Sequence, residues 1–265
     1  MNKKLRLTAL LGACLLLSGC VAKAYDGPVI TDDGLIVYEE ETGIDELKRP
    51  EWPLMEPVPD YSGEPYSIIH DNRPYFAQYL IEQAENPIGS FRVYTGTDEL
   101  GRPHEVVSSL KQFNMPLPDQ ICIENDDFHP VGWQDIEYPE TIPEKTLYMK
   151  CQLLDWHIGG SLEEEMNMVT GTRYLYNTLE NLTNNIHDYL LASDDTVLYR
   201  ATPDYRENEL LPRGIVIEVQ CMRDRKSSFC VYCYNVQPGI VIDYVTGESY
   251  EKPSVSTNDC YTPTR

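Results

Sequence analysis

Positive charge is scarce in this 265-residue chain: 21 Lys and Arg stand against 43 Asp and Glu, a net charge of -22. Tight nucleic-acid binding driven by charge alone needs Lys and Arg to displace counterions, so the overall balance argues against it. A local basic groove stays open, because net charge says nothing about distribution. No apolar run reaches the roughly 20 residues needed to cross a bilayer. Histidine occurs five times, and none of the five has metal-ligand spacing such as H-x-x-x-H. No G-x-S-x-G, H-E-x-x-H or P-loop pattern is present, which removes the common serine-hydrolase, zinc-protease and nucleotide-hydrolase readings. No internal repeat is visible.

What is present begins with an address. Lys3, Lys4 and Arg6 precede a short apolar run, Leu7 to Leu17, and then Leu17-Ser18-Gly19-Cys20. Basic, apolar and small-small-Cys elements in that order read as a lipoprotein signal, 1–19, cut before Cys20, whose thiol takes the lipid. Loss of three basic residues takes the charge from -22 to -25. The expected location is the cell envelope, outside the cytoplasm, with the membrane as partner through Cys20. Residues 20–60 read as an acidic, Pro-rich tether: Glu39-Glu40-Glu41, then Pro50, Pro53, Pro57 and Pro59. With little apolar periodicity it can bury little, and charge and proline keep it extended.

Six further cysteines, Cys122, Cys151, Cys221, Cys230, Cys233 and Cys260, permit disulfides outside the cytoplasm without fixing their pairing. Cys230 and Cys233 lie in a strand-like stretch, where odd spacing sends them to opposite faces. That spacing speaks against a shared metal.

A globular domain is expected over 61–250, with a loose tail over 251–265. Strands are expected at 67–69, 91–94, 133–138, 146–158, 197–202, 215–221, 229–236 and 240–244. Helices are expected at 75–85 and 177–192. The second has Leu179, Leu182, Ile186, Tyr189 and Leu190 on one stripe, with Asn177 and Glu180 as a capping box. The stretch 101–130 reads as loop. Strands, a helix, then strands indicate an α+β domain on a central antiparallel sheet with flanking helices.

Several stretches resemble the DNA/RNA non-specific endonucleases, a family that includes EssD-like proteins of type VII secretion systems. They are Met166-Asn167-Met168-Val169-Thr170-Gly171-Thr172-Arg173-Tyr174-Leu175, Leu198-Tyr199-Arg200-Ala201-Thr202-Pro203, and Tyr234-Asn235-Val236-Gln237-Pro238-Gly239 with Ile242-Asp243-Tyr244 and Thr246-Gly247. Tyr61-Ser62-Gly63, Leu100-Gly101-Arg102-Pro103 and Gly132-Trp133-Gln134 follow the family's order, and the likeness spans about Tyr61 to Ser249. The resemblance implies a ββα-metal domain. In it a strand presents a histidine as general base, and an asparagine holds a divalent ion, usually Mg2+, that stabilises charge at phosphorus. Carried onto this chain, the histidine position is Gln152, in Cys151-Gln152-Leu153-Leu154-Asp155-Trp156-His157-Ile158. The metal asparagine is Asn167, and Lys150 and Arg173 are the phosphate candidates. Thr183 matches an acidic residue of the family.

A glutamine amide does not titrate near neutrality and cannot take a proton from water as imidazole does. His157, five residues on, would lie about 16 Å away on the opposite face if the strand ran on. The first expectation is therefore a lipid-anchored, catalytically impaired endonuclease-fold protein that binds nucleic acid or a protein partner. The alternatives are an active Mg2+-dependent extracellular nuclease and a structural or partner-binding envelope lipoprotein. No small-molecule cofactor is implied.

Overall fold

In a computed structural model of the chain, the residues described are 29–30, 36–37, 58–86, 89–117 and 127–253. The leader 1–19, Cys20, Cys122, Cys260 and the end of the expected tail, 254–265, lie outside them, as does most of 20–60. Within that last stretch β1 (Val29–Ile30) pairs antiparallel with β2 (Ile36–Val37).

The centre is a six-stranded antiparallel sheet. It is built from β3 (Tyr66–Ile68), β4 (Arg92–Tyr94), β5 (Val106–Leu110), β8 (Val197–Asp204), β9 (Gly214–Cys221) and β10 (Phe229–Tyr234), in the order β3-β10-β9-β8-β5-β4. The alternation read in β9 holds: Ile215, Ile217, Val219 and Cys221 share one core cluster, while Val216 packs on the other face. A polar turn, in which Asp224 accepts from the Lys226 N–H, joins β9 to β10. Cys230 and Cys233 do fall in different clusters. Cys151, Cys221, Cys230 and Cys233 are all buried free thiols.

Two layers cover this sheet. On one face lies a hairpin of β6 (Tyr148–Gln152) and β7 (Met168–Thr172), continued by the long helix α2 (Arg173–Ala192). Cys151, Val169, Leu175, Ile186 and Leu190 from this layer share a core with Tyr199, Ile217, Val231 and Cys233 of the sheet. On the other face, Phe76 and α1 (Gln78–Ala84) pack on Val107 and Leu198. A two-stranded pair, β11 (Ile240–Ile242) and β12 (Ser249–Glu251), closes the domain.

Five expectations change. The strand expected at 133–138 does not form, and only Glu137 makes an isolated bridge, to Thr146. The stretch read as loop contains β5, every residue of which is buried. In Val106-Val107-Ser108-Ser109-Leu110 the two serines leave too few apolar residues to show a period. β7 was also not expected, for the same reason: Thr170-Gly171-Thr172 interrupt its five residues. The long helix starts at Arg173, not Asn177, and its cap is Thr172, whose hydroxyl accepts from the Leu175 N–H at 3.0 Å. The strand expected over 146–158 stops at Gln152. Beyond it the chain bends and forms a short 3-10 turn, Trp156–Ile158, so its side chains leave the strand's alternation.

Candidate active site

A cleft opens where β6 ends, the 3-10 turn begins and α2 crosses. Its wall includes Lys150, Gln152, Asp155, Trp156 and His157 on the hairpin side and Tyr176, Glu180, Thr183 and Asn184 on the helix side. Tyr199 and Ile217 of the sheet lie at its base. Lys150 and Gln152 share a face of β6 because they are two residues apart on a strand.

Gln152 does not stand free in this cleft. Its Oε1 accepts the Trp156 N–H at 2.9 Å and so ties the strand end to the turn. That contact orients the side chain's one acceptor atom toward the turn, while its NH2 can only donate. An amide oxygen is too weak a base to take a proton from water, so a general base is missing at this position.

The turn itself is held from several sides. Asp155 Oδ1 accepts the His157 N–H at 2.8 Å and lies 2.9 Å from His157 Nδ1. The His157 ring leans on Trp156, with centroids 4.3 Å apart. Gly159, at φ 99°, ends the turn in the left-handed region that glycine enters without strain. A Cβ on Gly160 would overlap the Leu154 carbonyl. Tyr199 donates from its hydroxyl to the Leu153 carbonyl at 2.6 Å. Tyr94 accepts from the Ser161 N–H at 3.1 Å, and Arg92 donates to the Gly159 carbonyl. Burial pushes the Tyr94 hydroxyl up to about 12.

Asn167 has a different task from the one the resemblance implied. It is completely buried. Its Oδ1 accepts the Leu154 N–H at 2.9 Å, and its Nδ2 donates to the carbonyls of Leu154 and Ser161 at 2.9 and 2.8 Å. Both ends of the amide are used by the backbone, and Asn167 is not part of the cleft wall. It precedes α2 rather than riding on it. A metal at Asn167 does not fit this arrangement. Among the described residues no group of three His, Cys, Asp or Glu is placed to hold an ion.

Of the phosphate candidates, Lys150 lies in the cleft wall and Arg173 does not. Arg173 opens α2, stacks its guanidinium 5.8 Å over the Tyr176 ring, and has a buried Nε without a hydrogen-bond partner. Thr183, at the position of a family acid, is in the wall and largely buried.

His157 is the correction of most consequence. On an extended strand it would point away; on the turn it shares the cleft with Lys150 and Gln152. The signal was present in the sequence. Asp155-Trp156-His157 followed by Gly159-Gly160 joins a side-chain acceptor to a glycine stop, the chemistry of a tight turn.

The model of the DNA/RNA non-specific endonuclease family matches residues 81–222, more than half of the chain. The chain belongs to the DNA/RNA non-specific endonuclease family. The matched segment holds the whole hairpin, the cleft and α2. Solved structures of similar fold include NucA from Streptococcus agalactiae with a magnesium ion bound, at 20% identity and TM-score 0.57, covering 72% of this chain and 91% of that one. NucA without metal gives 21% identity, TM-score 0.56 and coverage of 70% and 86%. The Sda1 nuclease with a bound zinc ion gives 17%, 0.56, 71% and 97%. At such identities these likenesses speak for the endonuclease fold alone. The chain has no match among proteins of curated function.

Proposed function

We propose that this protein is an envelope lipoprotein, anchored through Cys20 outside the cytoplasm, whose endonuclease-fold cleft binds nucleic acid and has lost the family's route of metal-assisted DNA cleavage. The observation that carries the reading is the Gln152 amide, whose only acceptor atom is held by the Trp156 N–H at 2.9 Å. Asn167 supports it, because its amide is wholly engaged by backbone. Lys150 keeps a cation in the cleft wall for a phosphate, as a point charge without the fork of an arginine. Asp155 and Glu180 share that wall, so binding should be modest and weaken with salt.

The test is plasmid nicking by the purified protein with Mg2+ or Mn2+, beside Gln152→His. General-base loss costs about a hundred to ten thousand fold, so wild type should nick at least a hundredfold more slowly than an active family member. Nicking at a comparable rate would sink the reading. A gain of nicking in Gln152→His would locate the defect at that residue.

A further inference from the structure

We propose that Asp155 and His157 form a proton-accepting pair that lets this cleft cleave RNA through the RNA's own 2′-hydroxyl, without a metal. The inference rests on the reading that the cleft binds nucleic acid. It uses residues outside the family's base position.

His157 Nδ1 lies 2.9 Å from Asp155 Oδ1. An ionised carboxylate can only accept, so Nδ1 carries the hydrogen and Nε2 of the neutral ring keeps its lone pair. Asp155 also accepts the His157 backbone N–H at 2.8 Å, which fixes both ends of the pair. Trp156 packs against the imidazole with centroids 4.3 Å apart. The His157 side chain is 52% exposed and lies in the wall shared with Lys150 and Gln152, so the pair is both oriented and reachable.

RNA is the substrate class that suits this set. DNA has no 2′-hydroxyl, so its hydrolysis needs an activated water, which neither the Gln152 amide nor the backbone-engaged Asn167 prepares. RNA brings its nucleophile on the neighbouring sugar carbon, so attack is intramolecular and needs only correct alignment and a base. His157 Nε2 takes the 2′-hydroxyl proton while the 2′-oxygen bonds to phosphorus. The bond from phosphorus to the 5′-oxygen breaks, and that oxygen takes a proton from water. The imidazolium then returns its proton to solvent. The products are a 2′,3′-cyclic phosphate and a 5′-hydroxyl, with nothing oxidised or reduced. Lys150 and the Gln152 NH2 supply donors for the non-bridging oxygens, whose charge grows as the bond forms. Trp156 offers a flat face on which an unpaired base can stack, as single-stranded RNA requires.

The experiment uses a fluorescent single-stranded RNA and the DNA of the same sequence, with EDTA present. Anisotropy reads binding, and end analysis reads products. The expected result is that both strands bind, the DNA stays intact, and the RNA is cut to 2′,3′-cyclic phosphate ends. His157→Ala should lower the cutting at least about a hundredfold while the RNA is still bound and the fold still melts cooperatively. Asp155→Asn, which can still accept the His157 N–H, should lower it less. RNA that binds and stays intact overturns the inference and leaves the proposed function standing. Cutting that survives in His157→Ala, or that leaves 5′-phosphate ends, also overturns it. If neither strand binds, the proposed function fails and the inference with it.

Discussion

Of the acid–base pairs in this molecule, one in the middle of the sheet and one at the rim of the cleft differ sharply in setting. Arg200 and Glu218 face each other across β8 and β9, with side chains 2% and 0% exposed and 3.3 Å between Nη1 and Oε2. The Tyr75 N–H donates to Glu218 Oε1, Arg200 Nη1 donates to the Tyr75 carbonyl, and the guanidinium lies 5.0 Å over Phe76. Each group is turned inward on another, and the pair locks the segment before α1 onto the sheet. Asp155 and His157 are 26% and 52% exposed. Their contact fixes geometry but leaves one ring nitrogen uncommitted. The same chemistry therefore does opposite work: a closed pair secures the fold, and an open pair leaves an atom for a ligand. The loop from Leu153 to Ser161 joins the two regimes, because its backbone is bound by buried groups while Asp155, Trp156 and His157 line the cleft.

Alkali should part these regions with the largest effect. Burial pushes the Tyr199 hydroxyl well above its ordinary 10, and Tyr94 and Tyr244 to about 12. The unfolded chain ionises these hydroxyls near 10, where the folded chain does not. The stability they carry is whole below pH 10 and is lost as pH rises from there through about 12. Tyr199 donates to the Leu153 carbonyl, and that contact cannot survive a phenolate. Cooperative unfolding by circular dichroism is expected between pH 10 and 12, together with tyrosine ionisation. Gradual ionisation with the fold retained through pH 12 would contradict the inward tyrosine contacts.

Next in size is the sheet pair. Glu218→Ala strips one of two carboxylates from a buried guanidinium, leaving Glu105 at 3.5 Å, and removes the acceptor of the Tyr75 N–H, at a cost of about 3 kcal/mol. Urea unfolding should show it. Asn167→Ala should cost about 3 kcal/mol, since the amide and carbonyl of Leu154 and the Ser161 carbonyl each lose a buried partner. If Asn167 were instead an exposed ligand, its removal would cost well under 1 kcal/mol, so this variant separates the anchoring role from the ligand role directly.

The division between closed and open regions also explains what could be read in the sequence. Most strands, inner β8, β9 and β10 among them, and both helices announced themselves through period and turn chemistry, while the cap of the long helix was placed five residues late. β5 and β7 did not: each is only five residues long, and Ser108-Ser109 and Thr170-Gly171-Thr172 leave too few apolar residues to show a period. Gln152 was found through motif likeness, and its meaning followed from amide chemistry. Asn167 was misplaced because a motif preserves a residue without saying whether it serves the fold or a ligand. His157 was missed because extrapolating a strand past Gln152 assigned it the wrong face. One bend, held by Gln152 Oε1 and closed by Gly159, reversed the outcome.

That bend provides the smallest and most local test. Gln152→Ala removes the acceptor of the Trp156 N–H, a half-buried bond worth about 1 kcal/mol. The loss of global stability should be slight. Hydrogen exchange, however, should quicken at Trp156 and leave β8 and β9 unchanged, because local opening draws on the loop's own contacts and not on the sheet. Gln152→Glu keeps an acceptor of nearly the same shape and should hold the Trp156 amide nearly as well as the wild type. If Gln152→Ala left exchange at Trp156 untouched, Gln152 would not be committed to the turn. Its side chain would then be free in the cleft, and the replacement of the family histidine would be a loss of chemistry with no structural counterpart.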